Sequence, residues 1–171
     1  MNGIFIAEIL RWFTAFVLLA ACLGKLRTFD AFRASLHESF HVPPRQAGML
    51  APAVVGIEAL LVLLVLGPFA QAGMALALLL FAGLTTLLAW RLARDGALRC
   101  ACFGEAERNL SGYDLARNVL VVAAIGLYLP LSFAAPAALS LAASVLAAAL
   151  ASILAVLAVD FHDVARLLVE R

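Results

Sequence analysis

Two cysteines one residue apart, Cys100 and Cys102, open the longest polar stretch of this chain, RCACFGEAERNLSGYDLARN over residues 99–118. Thiols at i and i+2 can close a disulfide only through a small, strained ring, and strain makes such a bond easier to reduce. The spacing therefore suits exchange better than stapling. The attacking species is the thiolate, which nearby positive charge favours. Arg99 adjoins Cys100, Arg117 stands where the next apolar run begins, and Lys25 follows the third cysteine, Cys22, near the end of the first apolar run. Three readings of the pair follow from residue type and spacing. In the first, Cys100 and Cys102 are the catalytic pair of a thiol–disulfide exchange, with Cys22 as a resolving or relay thiol. In the second, the pair joins Cys22 or a histidine to hold copper(I) or zinc. In the third, it does no chemistry, because free cysteine often behaves as a small buried hydrophobe. Three cysteines cannot all pair within one chain.

Other candidates are weaker. His37 and His41, at i and i+4 in LHESFH, have a spacing that can hold a metal on one helix face, but a solvated interface explains them as well. His162 stands between aspartates in the C-terminal tail and reads the same way. No metal site is assigned on these grounds. There is no nucleotide-binding loop, no credible Ser-His-Asp order and no zinc-protease helix. No cofactor is expected: copper enters only through the second reading of the cysteine pair, and a quinone, though possible, is not assigned. A net charge of +1 offers nothing to nucleic acid.

The elements that must position the dithiol are membrane helices. Of the 171 residues, 65% are hydrophobic and 13% charged, with a mean hydropathy of +1.06. A soluble domain carries about 25% charged residues. About 20 apolar residues cross a bilayer as a helix. By that measure the chain is an all-α polytopic bundle, one integral-membrane domain over 1–171, with spans at about 3–23, 47–67, 69–90, 115–134 and 137–159. The polar loop 91–114 carries the cysteines. Glu8 and Arg11 make the first span the weakest of the five, so a four-helix bundle is the alternative. Leu19-Ala20-Ala21-Cys22 has the form of a lipoprotein cleavage box. The region before it lacks a positive bias, because Glu8 cancels Arg11, and further spans follow, so it is read as part of the first helix. In the fifth span Ser140, Ser144, Ala148 and Ser152 recur every four residues, which predicts a small-residue packing face.

With five spans, segments 24–46, 91–114 and 160–171 fall on one side of the membrane, here called the loop face. With Cys22 and Arg117 at the adjoining span ends, it collects all three cysteines, all three histidines and eleven of the twelve Lys and Arg residues. The positive-inside rule places such a face in the cytoplasm, where a dithiol stays reduced. Glu58 is an acid in the middle of the second span, and an ionisable group at that depth marks a pairing or functional site. Counting from the opposite ends of their spans puts Arg11 and Glu58 at nearly equal depth, so these two are expected to form a structural intramembrane pair, the alternative being a proton- or quinone-linked site. Glu8, three residues before Arg11, competes for it.

One group of residues resembles the methylamine-utilisation protein MauE family, within the wider DoxX-like group of small redox-associated membrane proteins. These residues are Gly24-Lys25, Phe32, Leu36, Pro52, Glu58, the run Cys100-x-Cys102-Phe103-Gly104, Ser111, and Arg117-Asn118. The likeness covers about residues 8–135, and the Cys-x-Cys-Phe-Gly run followed by Arg-Asn is its most specific part. It implies a bacterial inner-membrane protein that works with a thioredoxin-like oxidoreductase. Its role would be to mature a disulfide-containing protein such as the small subunit of methylamine dehydrogenase. Cys100 and Cys102 would then be the redox pair, with Lys25, Glu58, Arg117 and Asn118 in support. The role of Cys22 is not part of the likeness and rests on its side of the membrane. Periplasmic maturation and a cytoplasmic dithiol disagree about that side. The charge bias favours the cytoplasm.

Overall fold

A computed structural model of the chain describes residues 2–95, 112–134 and 139–160. Six helices account for nearly all of them: α1 (Asn2–Arg27), α2 (Phe29–Glu38), α3 (Pro44–Leu66), α4 (Ala70–Asp95), α5 (Gly112–Ala134) and α6 (Leu141–Val159). Among the described residues, five stretches are long and apolar enough to cross a membrane: Gly3–Arg27, Pro44–Leu66, Ala70–Arg94, Gly112–Ser132 and Leu141–Val159. The first is among them, so the bundle has five candidate spans and not four. Its two charges are compatible with a span because they satisfy each other. Arg11 Nη2 donates to Glu8 Oε1 at 2.6 Å, and Trp12 Nε1 donates to the same oxygen at 3.1 Å.

The polarity of the surface fits a lipid solvent. Leu60, Leu63, Leu79, Val145, Ile153 and Val156 are all exposed along the outside of the helices, a pattern that would aggregate in water. Chain signals mark several helix ends. Pro43 and Pro44 start α3, where a missing backbone N–H costs nothing. Ser140 caps α6 by accepting from the Ala143 N–H at 3.4 Å.

Helix α1 lies at the centre and touches every other helix. Val17 and Leu18 on α1, Val65 on α3, Met74 on α4, Ile125 on α5 and Ala151 on α6 form one buried cluster. Gly73 permits the tight start of α4, because a Cβ there would meet Val65 N at 2.8 Å.

The small-residue face of α6 sits one position away from the expected one. Ala147, Ala151 and Ala155 are the buried residues, while Ser140 is exposed and Ser144, Ala148 and Ser152 are only half-buried. Alanine has no polar atom to satisfy, so it suits closest approach in lipid. Ser152 turns its hydroxyl back to the Ala149 carbonyl at 2.8 Å, and Ser144 reaches Glu8 Oε1 at 3.4 Å.

These bonds also set directions. Ser144 at the start of α6 meets Glu8 near the start of α1, so the two run parallel. Arg117 Nη1, near the start of α5, reaches the Val159 carbonyl at the end of α6 at 3.4 Å. Arg91 Nη2, near the end of α4, donates to the Phe40 carbonyl after α2 at 3.0 Å. The end of α1, all of α2, the start of α3, the end of α4, the start of α5 and the end of α6 therefore share the loop face.

Candidate functional site

The polar centre of the described structure lies where α1 and α3 meet below α2. Lys25 Nζ donates to Glu58 Oε1 at 2.6 Å, and both residues are buried, 2% and 4% exposed. One turn earlier on each helix, the Cys22 thiol donates to the Val55 carbonyl at 3.8 Å. Cys22 and Val55 thus mark a common level. Because the helices are antiparallel, Lys25 lies toward the loop face from that level and Glu58 toward the opposite face. Each is displaced by about 4.5 Å at 1.5 Å per residue. Helical side chains lean toward their own N-terminus, so Lys25 leans inward and Glu58 leans outward, and their tips meet.

The expected Arg11–Glu58 pair does not form, because the two residues are not at equal depth. From the Cys22–Val55 level, Glu58 lies three residues and Arg11 eleven residues toward the opposite face, so their backbones are about 12 Å apart in depth at 1.5 Å per residue. Arg11 is held instead by Glu8 on its own helix. Lys25, placed by the sequence at the membrane boundary, is the partner Glu58 takes.

Helix α2 covers this pair. Phe32 is buried, packs with Ala51, Val54 and Leu36, and places its ring 5.6 Å from Lys25 Nζ, within cation–π reach. The spacing of Phe29, Phe32 and Leu36 carries the signal for this short amphipathic helix, which span counting passes over because ten residues are too few to cross a bilayer. Between α1, α2, α3 and α4 lies a cavity of about 250 Å³, with Lys25, Glu58, Phe32, Phe40, Phe81 and Leu84 in its wall.

A second polar group stands at the head of α5. Arg117 and Asn118 are both buried, as is Asp114, whose Oδ1 lies 3.9 Å from Arg117 Nη2. Arg117 also faces the last carbonyls of α6, where a cation is favoured by the helix dipole. Asn118 is 1% exposed, and its Oδ1 has no hydrogen-bond partner among the described residues. Lys25 and Arg117 are thus each beside a carboxylate. Asp114, Phe40 and Phe81 are the site residues that sequence reading missed, whereas Phe32 was among those singled out.

Cys22 is 6% exposed. Of the two described histidines, His37 is in the last turn of α2 and His41 is in the turn between α2 and α3. His37 Nδ1 is 2.8 Å from the Val42 carbonyl, and His41, with φ of 55°, has its Nδ1 3.1 Å from Arg91 Nη1. Arg99, Cys100, Cys102, Ser111 and His162 lie outside the described residues. The residues bounding that loop, Asp95 and Gly112, end and begin helices at the loop face.

No curated protein and no solved structure matches this chain. The family described as methylamine utilisation protein MauE matches it over residues 4–131, a stretch that begins in α1, ends in α5 and includes Lys25, Glu58, the dithiol and Arg117-Asn118. With an all-helical, multi-pass bundle and a match across most of its length, the chain belongs to the MauE family.

Proposed function

We propose that this methylamine-utilisation-related membrane protein is a thiol-redox component that exchanges disulfides with a thioredoxin-like partner. Exchange of this kind supports the maturation of a disulfide-containing protein, such as the small subunit of methylamine dehydrogenase. The observation that carries this reading is the convergence at the loop face. The polypeptide that bears Cys100 and Cys102 leaves α4 and enters α5 at the face where Cys22, the Lys25–Glu58 pair and the Arg117–Asn118 group are built into the bundle.

The thiolate of one of the pair attacks a partner disulfide. A mixed disulfide forms, and the partner's second sulfur leaves as a thiolate. The other cysteine then attacks the mixed disulfide, releasing the partner as a dithiol and leaving a Cys100–Cys102 disulfide. Two electrons and two protons pass to the partner, and a dithiol of a second protein resets the pair by the same steps in reverse. Arg99, next to Cys100, favours the thiolate. No bound cofactor takes part in the exchange. Lys25, Glu58, Arg117 and Asn118 hold the helices that anchor the loop. The charge bias favours the cytoplasm for the loop face.

Two measurements test this. Cys100→Ser and Cys102→Ser single variants are expected to differ, with one of them trapping a partner in a band that a reducing agent dissolves. Labelling of intact cells with a membrane-impermeant thiol reagent, before and after reduction, reports the face and redox state of the pair. Full function in the Cys100→Ser/Cys102→Ser double variant would falsify the proposal. Stoichiometric copper(I) or zinc bound through the pair, without a mixed disulfide, would replace it with the metal reading.

A further inference from the structure

We propose that the cavity under α2 binds a lipid-soluble molecule with an aromatic hydroxyl head, of the phenol or hydroquinone type. This goes beyond the thiol reading and does not rest on it. Four features converge on that class. First, Glu58 contributes to the cavity wall, and its Oε1 is held by Lys25, but its Oε2 is buried with no hydrogen-bond partner among the described residues. A carboxylate accepts and never donates, so the missing group is a donor. That oxygen is itself covered, and the broad terminal torsion of a glutamate lets it turn to a ligand. An O–H donor to a carboxylate makes one of the stronger hydrogen bonds available.

Second, three of the wall residues are phenylalanines, Phe32, Phe40 and Phe81, contributed by α2, the turn after it, and α4. Aromatic walls favour a flat ring through offset or edge-to-face contact. Third, the volume of about 250 Å³ is near the lower end of small-molecule sites, roughly 300–1,000 Å³. It suits one ring and a short part of a tail. Fourth, Leu50 and Leu87, which also line the cavity, are exposed on the outer surface of α3 and α4. A tail can leave the cavity there into lipid, and the ligand can enter the same way. A plain acyl chain would fill the space but would leave the Glu58 oxygen unanswered.

The test is equilibrium gel filtration of the purified full-length protein in detergent, with micelles alone as the blank. The probes are decylhydroquinone, its dimethyl ether and decylbenzene. The expected result is saturable binding of one decylhydroquinone per chain, at least tenfold tighter than the ether or decylbenzene. Val54→Phe, which fills the cavity, is expected to weaken it at least tenfold, and Glu58→Gln is expected to weaken it to a similar extent. Val54→Phe and the ether keep the test decisive if Glu58→Gln does not fold. Equal binding of the hydroquinone and the ether, no binding above the micelle blank, or an unaffected Val54→Phe variant would each overturn the proposal.

Discussion

Lys25 Nζ and Glu58 Oε1 lie 2.6 Å apart in the interior of the bundle, joined across α1 and α3 although their backbones sit about two turns apart in depth. The contact is possible because the two antiparallel helices aim these side chains at each other. It places one compensated charge pair directly beside the aromatic cavity and one turn from Cys22.

Breaking that pair on one side is expected to be costly. Removing one partner of a buried ion pair typically costs about 3–5 kcal/mol, whereas replacing both with apolar groups is often nearly neutral. Lys25→Met and Glu58→Leu alone should each destabilise the bundle by about that amount, and the double variant should recover most of the loss. Reversible unfolding in mixed micelles measures this. Additive losses in the double variant would mean that the pair does not act as one unit.

Partner choice has a separate test. In a double-mutant cycle, Lys25 and Glu58 should couple strongly, while Arg11 and Glu58 should couple by less than about 0.5 kcal/mol, as residues without contact do. Glu8 accepts from Arg11, Trp12 and Ser144. Glu8→Leu should therefore cost more stability than Arg11→Leu, since it leaves three donors without their acceptor.

The junction of α3 and α4 depends on the absence of a side chain at Gly73. A Cβ there would come within 2.8 Å of Val65 N and 2.9 Å of Leu64 C, both backbone atoms. Gly73→Ala should destabilise the protein by about 1–3 kcal/mol, the usual cost of overpacking. Gly83 has open space around its Cβ position, so Gly83→Ala is the control and should be neutral or slightly stabilising. Thermal aggregation in detergent ranks the two.

The burial of Cys22 predicts low reactivity of that thiol. In native membranes a maleimide should label Cys22 far more slowly than it labels the same thiol after unfolding in SDS. Peptide mass spectrometry gives the site occupancies. Rapid native labelling of Cys22 would show that its contact with Val55 opens readily.

Much of the architecture was legible in the chain. Apolar runs of about 20 residues are dictated by bilayer thickness, so five spans and the side on which each connection lies follow from counting. The short α2 was hidden from that count, although Phe29, Phe32 and Leu36 record its buried stripe. On α6 the four-residue repeat of small side chains was visible, but it does not say which of two adjacent ridges is buried. The contact of Ala147, Ala151 and Ala155 with the rest of the bundle settles that. The dithiol was equally plain in the sequence, and it lies in the one long connection outside the described residues.

By itself the sequence determined the class of molecule, the candidate crossings, the presence of a Cys-x-Cys pair and the presence of charges that needed partners in lipid. Only the tertiary structure decided which partners those charges took and that three phenylalanines close a cavity over one of them. The physical reason is that hydropathy and periodicity are properties of one helix at a time. A salt bridge depends on the direction of two side chains on different helices, and a cavity depends on what several helices together fail to fill.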